Sequence, residues 1–106
     1  MNSKHIRMQF ALMTLEELRQ RRQHILAAAT KHGARNVRVF GSVARGEASP
    51  HDVDLLVRFD PGRSLLDHAA LKRELEALCG VPVDIASEPG VKPKYRARIL
   101  AEAIAL

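Results

Sequence analysis

Tryptophan is missing from this chain and cysteine occurs once, at Cys79. A single thiol excludes an intramolecular disulfide and a cysteine-rich zinc centre, and it fits a reducing, cytoplasmic setting. Its position at the end of an apolar helical stretch makes Cys79 a packing residue. Aromatic residues make up 4% of the chain (Phe10, Phe40, Phe59 and Tyr95) and are not interleaved with Lys or Arg. The stacking platform of a single-strand binder is therefore lacking, and nucleic acid is not expected as a direct ligand. No apolar run approaches the ~20 residues of a membrane span, and Phe10 to Met13 is too short for a signal-peptide core. No Gly-Lys-Ser/Thr occurs, which excludes a Walker P-loop.

Repeats, low-complexity tracts and linkers are absent too. With 106 residues, 46% of them hydrophobic, the expectation is one domain spanning 1–106, in which 1–13 forms an arm free to order on a partner. Lys and Arg outnumber Asp and Glu by 17 to 12, a net charge of +5. Such a balance suits a polyanionic ligand or an acidic protein partner and does not choose between them.

Helices announce themselves by their caps. Thr14-Leu15-Glu16-Glu17 reads as a capping box, starting a helix whose apolar stripe runs through Leu15, Leu18, Ile25, Leu26 and Ala29 until Gly33 stops it. Ser64-Leu65-Leu66-Asp67 caps a second helix that ends at Cys79 and Gly80, with Leu71, Leu75 and Leu78 along one side. A third follows Glu88-Pro89-Gly90 and Pro93, marked by Tyr95, Ile99 and Ala103. Between them lie three β runs: Asn36 to Phe40, Val53 to Phe59, and Val81 to Ala86. This order predicts an α/β (α+β) domain, a small mixed sheet with helices on one face.

The alternation of the second strand puts Val53, Leu55, Val57 and Phe59 on one face and Asp52, Asp54, Leu56 and Arg58 on the other. In the third, Val81, Val83 and Ile85 point inward and Asp84 outward. Asp52 and Asp54, at i and i+2, have Cα atoms about 6.6 Å apart and aim the same way, close enough to share divalent ions; Asp84 joins them if its strand lies alongside. Oxygen ligands without thiolate select Mg²⁺ or Mn²⁺ over zinc. Three carboxylates on one face also call for water or a cation to solvate them. Just upstream, Gly41-Ser42 closes the first strand. Gly41 permits close approach of a phosphate, the Ser42 hydroxyl and the following amides can donate to it, and Arg45 can add a cationic contact. A phosphate turn beside a set of metal-binding carboxylates points to chemistry on a nucleoside triphosphate.

The run Gly41-Ser42-Val43-Ala44-Arg45-Gly46-Glu47, with Asp52-Val53-Asp54-Leu55-Leu56-Val57 and Val83-Asp84-Ile85, resembles the nucleotidyltransferase superfamily related to DNA polymerase β, in its minimal nucleotidyltransferase branch. The likeness extends to Pro61-Gly62-Arg63-Ser64-Leu65-Leu66-Asp67 and to Gly90-Val91-Lys92-Pro93, covering about Val37 to Leu106. It implies a polymerase β-like fold, ATP as substrate, Gly41 and Ser42 on its triphosphate, and Asp52, Asp54 and Asp84 as catalytic and metal-binding carboxylates. The chain departs from the branch in two places. Nine residues separate Ser42 from Asp52, one fewer than in its common form, and His51 stands where a serine usually precedes the first aspartate.

The same branch is known for antitoxins paired with HEPN-domain RNase toxins, some of which transfer AMP to a toxin tyrosine. The resemblance thus implies an Mg²⁺-dependent AMPylating antitoxin with a cognate HEPN toxin as partner. A binding-only antitoxin and a small transferase acting on an RNA end or a small molecule are the competing readings. Since no acceptor domain follows Leu106, the acceptor is expected to dock from outside, with Lys92, Lys94, Arg96 and Arg98 available to an acidic partner surface.

Overall fold

The computed structural model describes residues 13–47 and 52–106. The Thr14 capping box forms as read: the Glu17 N–H donates to the Thr14 hydroxyl oxygen (3.1 Å) and the Thr14 N–H to Glu17 Oε1 (3.0 Å). The helix it starts is not continuous. α1 (Leu15–Gln20) ends at Arg21, whose φ of −99° and ψ of 10° offset it from α2 (Arg22–Lys31). The break keeps Leu18 on one side of it and Ile25, Ala28 and Ala29 on the other directed into the same core. The N-terminal arm expected over 1–13 lies outside the described residues except for Met13, which is buried in that core.

β1 (Ala34–Phe40) begins two residues before the expected strand. Its ladder with β2 (Val53–Phe59) is antiparallel and slips between Arg35 and Arg38, where Asn36 takes a left-handed φ of 56°. Asparagine tolerates this conformation better than most residues, and a bulge here lets the strand start early without losing its inward residues, Val37 and Val39. After β1 a short helix, α3 (Gly41–Arg45), turns the chain towards the 48–51 segment. α4 (Leu65–Cys79), with the Ser64 capping box and Gly80 as its left-handed C-cap, carries the crossover from β2 to the parallel strand β3 (Val83–Ser87). A 3₁₀ turn at Glu88–Gly90 leads to α5 (Pro93–Glu102) and to a two-residue strand, β4 (Ile104–Ala105).

The sheet order is β3-β2-β1-β4, mixed as expected but with one strand more. β4 lies antiparallel on the free edge of β1, with Arg38 opposite Ala105 and Val39 opposite Ile104. A two-residue strand has no period to read. The core gathers Leu18 and Ile25 from the first two helices, Val39, Val53, Leu55, Val57 and Val83 from the sheet, Val43 from α3, and Leu71 and Leu75 from α4. Truncating Leu55 or Leu71, both essentially inaccessible, to alanine costs about 2–5 kcal/mol. Cys79 is buried as a packing residue, and burial pushes its thiol above the ordinary range.

The outer face of the sheet is less open than the alternation implied. Leu56 belongs to it and is fully buried. It pairs with Arg38 on one side and Ala86 on the other, and Arg38 is itself largely buried in an ion pair with Glu88 (2.6 Å). A basic side chain with a long apolar stem covers such a position while its head stays paired. α5 buries none of its residues, and Tyr95, expected on its apolar stripe, is exposed. Lys94 Nζ and the Arg98 guanidinium lie 5.0 and 5.8 Å from its ring centroid, a cation–π cluster facing outward.

Candidate active site

The parallel ladder of β2 and β3 decides whether three acidic residues make a site. Val53 faces Val83 and Asp54 faces Asp84 in register. Adjacent strands lie about 4.8 Å apart, so the two aspartates are immediate neighbours on the outer face. Asp52 sits on the same side two residues earlier, at the mouth of β2. The proximity is felt electrostatically: the Asp54 carboxyl is held above the usual carboxylate range, first by burial, then by the charges of Asp84 and Asp52. Arg45 opposes the shift and Glu102 adds to it.

The glycine turn is built against this group. Gly41 has a φ of +76°, and a Cβ placed on it would run into the Asp54 carboxylate. Both the backbone conformation and the space require glycine. Phe40 pairs with Asp54 across the β1–β2 ladder, which is why the turn following Phe40 arrives at the carboxylates. Ser42 is half-buried at the start of α3, and Arg45 is exposed at its end.

Two residues not anticipated from sequence enter the site. Glu102, the last residue of α5, accepts the Gly41 N–H at Oε2 (2.8 Å) and is bound by Arg45 Nη1 at both oxygens (3.2 and 3.3 Å). Arg45 Nε also donates to Glu47 (2.8 Å), and these two carboxylates raise the guanidinium's pKa further. On the opposite flank, Lys72 of α4 lies 3.7 Å from Asp84 Oδ1. Lys72 is fixed by donating to the Val83 carbonyl (2.6 Å) and to Glu76 (3.1 Å), and Glu76 in turn accepts the Val83 N–H (3.0 Å). Lys72 and Glu76, at i and i+4 on a capped helix, were legible as a pair, though not as a support for Asp84.

Asp52, Asp54 and Asp84 thus share one face and one end of the sheet, next to Gly41, Ser42 and Arg45. Among the described residues, no three His, Cys, Asp or Glu side chains are gathered closely enough, as they stand, to hold a metal ion; Asp84 leans towards Lys72. The donor chemistry nevertheless fits a hard divalent cation. All three groups are carboxylates, and the mutual repulsion that holds Asp54 up is what such an ion would relieve. His51 and residues 48–50 of the shortened stretch preceding Asp52 lie outside the described residues. Of the basic residues of α5 and its N-cap, Arg96 is engaged internally with the carbonyls of Glu88 (3.4 Å) and Val91 (3.1 Å), while Lys92, Lys94 and Arg98 are exposed. None of the helices among the described residues is long and apolar enough to cross a membrane.

A mixed sheet with a glycine turn abutting aspartates on neighbouring strands is the arrangement of a nucleotidyl-transferring enzyme. The chain belongs to the nucleotidyltransferase domain family, which residues 15–106 match. It is 39% identical over 100 residues to the protein adenylyltransferase MntA of Thermococcus cleftensis, covering 89% of this chain and 97% of that one. It is also 39% identical over 93 residues to a candidate protein adenylyltransferase of Methanocaldococcus jannaschii, covering 87% and 97%. Among solved structures, a candidate minimal nucleotidyltransferase superposes with a TM-score of 0.78 at 59% identity, covering 89% of this chain and 97% of that one.

Proposed function

We propose that this nucleotidyltransferase moves AMP from ATP to a tyrosine hydroxyl of a HEPN-domain RNase toxin and so acts as that toxin's antitoxin. The observation that carries the reading is the register of Asp54 against Asp84 beside the Gly41 turn; the names of the curated relatives support protein as the acceptor. In this reading Gly41, Ser42 and Arg45 take the triphosphate. Asp52 and Asp54 would hold the nucleotide's Mg²⁺ and Asp84 a second ion, which together supply positive charge at the reacting phosphoryl oxygens. Asp84 accepts the proton of the acceptor hydroxyl. The new bond joins that oxygen to the α-phosphorus, the bond from the α-phosphorus to the bridging oxygen breaks, and pyrophosphate leaves. The nucleotide adds charge and bulk to the toxin near its RNase site. The exposed cations of α5 and its N-cap, Lys92, Lys94 and Arg98, offer a docking face for an acidic partner surface.

Label transfer from ATP tests this, with the isotope at either the α or the γ phosphate and the co-encoded toxin as acceptor. Label from the α position alone, lost in Asp54→Asn, is the expected result. A second reading, neutralisation by binding alone, draws on one observation: Asp84 lies 3.7 Å from Lys72, and among the described residues no three carboxylates stand close enough together to hold a metal ion. Absence of label from either position in a stable stoichiometric complex would favour it.

A further inference from the structure

Glu102 was not expected at the active site, and the backbone explains its arrival there. β4 pairs with β1 so that Ile104 faces Val39. Continuing that antiparallel register by two residues brings residue 102 opposite residue 41. The Gly41 N–H, which has no helical or ladder partner at the start of α3, accordingly finds the Glu102 carboxylate at 2.8 Å. The same carboxylate binds Arg45 through both oxygens. A planar anion held by one backbone amide and one guanidinium makes the contacts a phosphoryl group would make.

We infer that Glu102 is an internal stand-in for the triphosphate: it occupies the Gly41 amide and Arg45, and the nucleotide must displace it to bind. The inference rests on the assignment of Gly41, Ser42 and Arg45 to the triphosphate. Two further features support competition over a merely structural tie. Glu102 sits on the amide of Gly41, the residue that abuts the Asp54 carboxylate, so it places negative charge where a polyanion would have to enter. Its setting is also a short one. Beyond it lie Ala103, the two-residue strand β4, a bond from the Leu106 N–H to the Val37 carbonyl (3.1 Å), one from Arg22 to the Leu106 carbonyl, and the buried Leu106 side chain. A two-residue edge pairing opens at lower free-energy cost than the seven-residue strands at the centre of the sheet. Engagement of α5 by a partner would then act on the nucleotide site through the residue that ends the helix.

Direct binding of Mg²⁺·ATP to the intact chain, by calorimetry, tests the inference without relying on turnover. Glu102→Gln keeps the shape and removes the charge. Binding tighter by about tenfold, equivalent to ~1.4 kcal/mol, is expected, with the Gly41 amide resonance moving on ATP addition in both proteins. Glu102→Asp retains the charge and shortens the reach by one methylene, and a smaller tightening is expected; it also decides the matter if Glu102→Gln folds poorly. Equal or weaker binding by the variants, with wild type still binding ATP at the Gly41 amide, overturns the inference and leaves the turn as the triphosphate site. No ATP binding by any of the three proteins overturns both.

Discussion

Asp54 faces Asp84 directly across the parallel β2–β3 ladder, and the repulsion between them is carried by Asp54, whose carboxyl is raised by burial and then by the charges of Asp84 and Asp52. A carboxyl raised in the folded state adds stability that is fully present below its unfolded pKa of about 3.9 and lost as pH rises through the folded value. At neutral pH the ionised group is therefore a liability. Asp54→Asn is expected to abolish nucleotidyl transfer and, without divalent cation, to raise the melting temperature by about 2–4 °C, less than the 4–8 °C that about 1 kcal/mol produces in a domain of this size. The gain should shrink as pH falls towards 4. A melting temperature lowered at pH 7 would contradict the electrostatic account.

Gly41 meets Asp54 from the other side. A side chain there must adopt a φ of +76° and displace the carboxylate. The left-handed conformation alone costs a non-glycine residue roughly 1–2 kcal/mol. Gly41→Ala should therefore lose at least that in denaturant unfolding and lose transfer activity as well, whereas Gly46→Ala, with a similar φ of +71° and nothing near its Cβ among the described residues, should lose stability and keep activity. Equal activities in the two variants would remove the close approach of Gly41 to Asp54 as a requirement.

The parts of this fold that were legible in the sequence are those specified locally. Thr14-Glu17 and Ser64-Asp67 each make both bonds of a capping box, and the alternation of Val53, Leu55 and Val57 survives as a buried face. The outward placing of Asp54 and of Asp84 on their own strands was legible because strand period is a short-range property, while their meeting depends on the β2–β3 ladder. What escaped depends on long-range pairing. The break at Arg21 and the bulge at Asn36 are set by packing of helix and strand onto the same core, with no glycine or proline to mark them. β4 has two residues, too few to carry a pattern, yet its register delivers Glu102 to Gly41. Tyr95 occupied a helical stripe position that the fold leaves exposed.

Glu76 connects α4 to the start of β3. Its carboxyl is held below the ordinary range by the Val83 N–H and then by Lys72. A lowered carboxyl contributes stability that is present above the unfolded pKa, about 4.3 for glutamate, and lost as pH falls through the folded value. Glu76→Gln should be less stable than wild type at pH 7, and the two should converge in acid unfolding below about pH 4. A gap that persists at low pH would assign the effect to packing instead of charge.

Lys94 and Arg98 hold Tyr95 between them on the outer face of α5, where they contact no acidic side chain among the described residues. Exposed surface charges of this kind contribute little to folding. Reversing both to glutamate should leave the melting temperature within a degree or two and weaken binding of the proposed toxin partner, most at low salt, since steering by exposed charge is screened over about 10 Å at 0.1 M. Affinity measured at two ionic strengths decides it: an unchanged dissociation constant at both would move the docking surface off α5.

Divalent cation should reverse the order of stability between wild type and Asp54→Asn. Without it, the variant is the more stable because a crowded carboxylate has been neutralised. With Mg²⁺ or Mn²⁺ added, the wild type gains RT ln(1 + [L]/Kd), about 1.4 kcal/mol at ten times Kd, while the variant, lacking a ligand, gains much less. Thermal unfolding across a metal titration should therefore show the two curves crossing. Asp84→Asn separates local charge relief from ligation: it removes one of the charges that raise Asp54 and releases Lys72, so its apo stability reports the electrostatics and its metal response the coordination. Parallel shifts of wild type and Asp54→Asn across the titration would exclude Asp54 as a ligand.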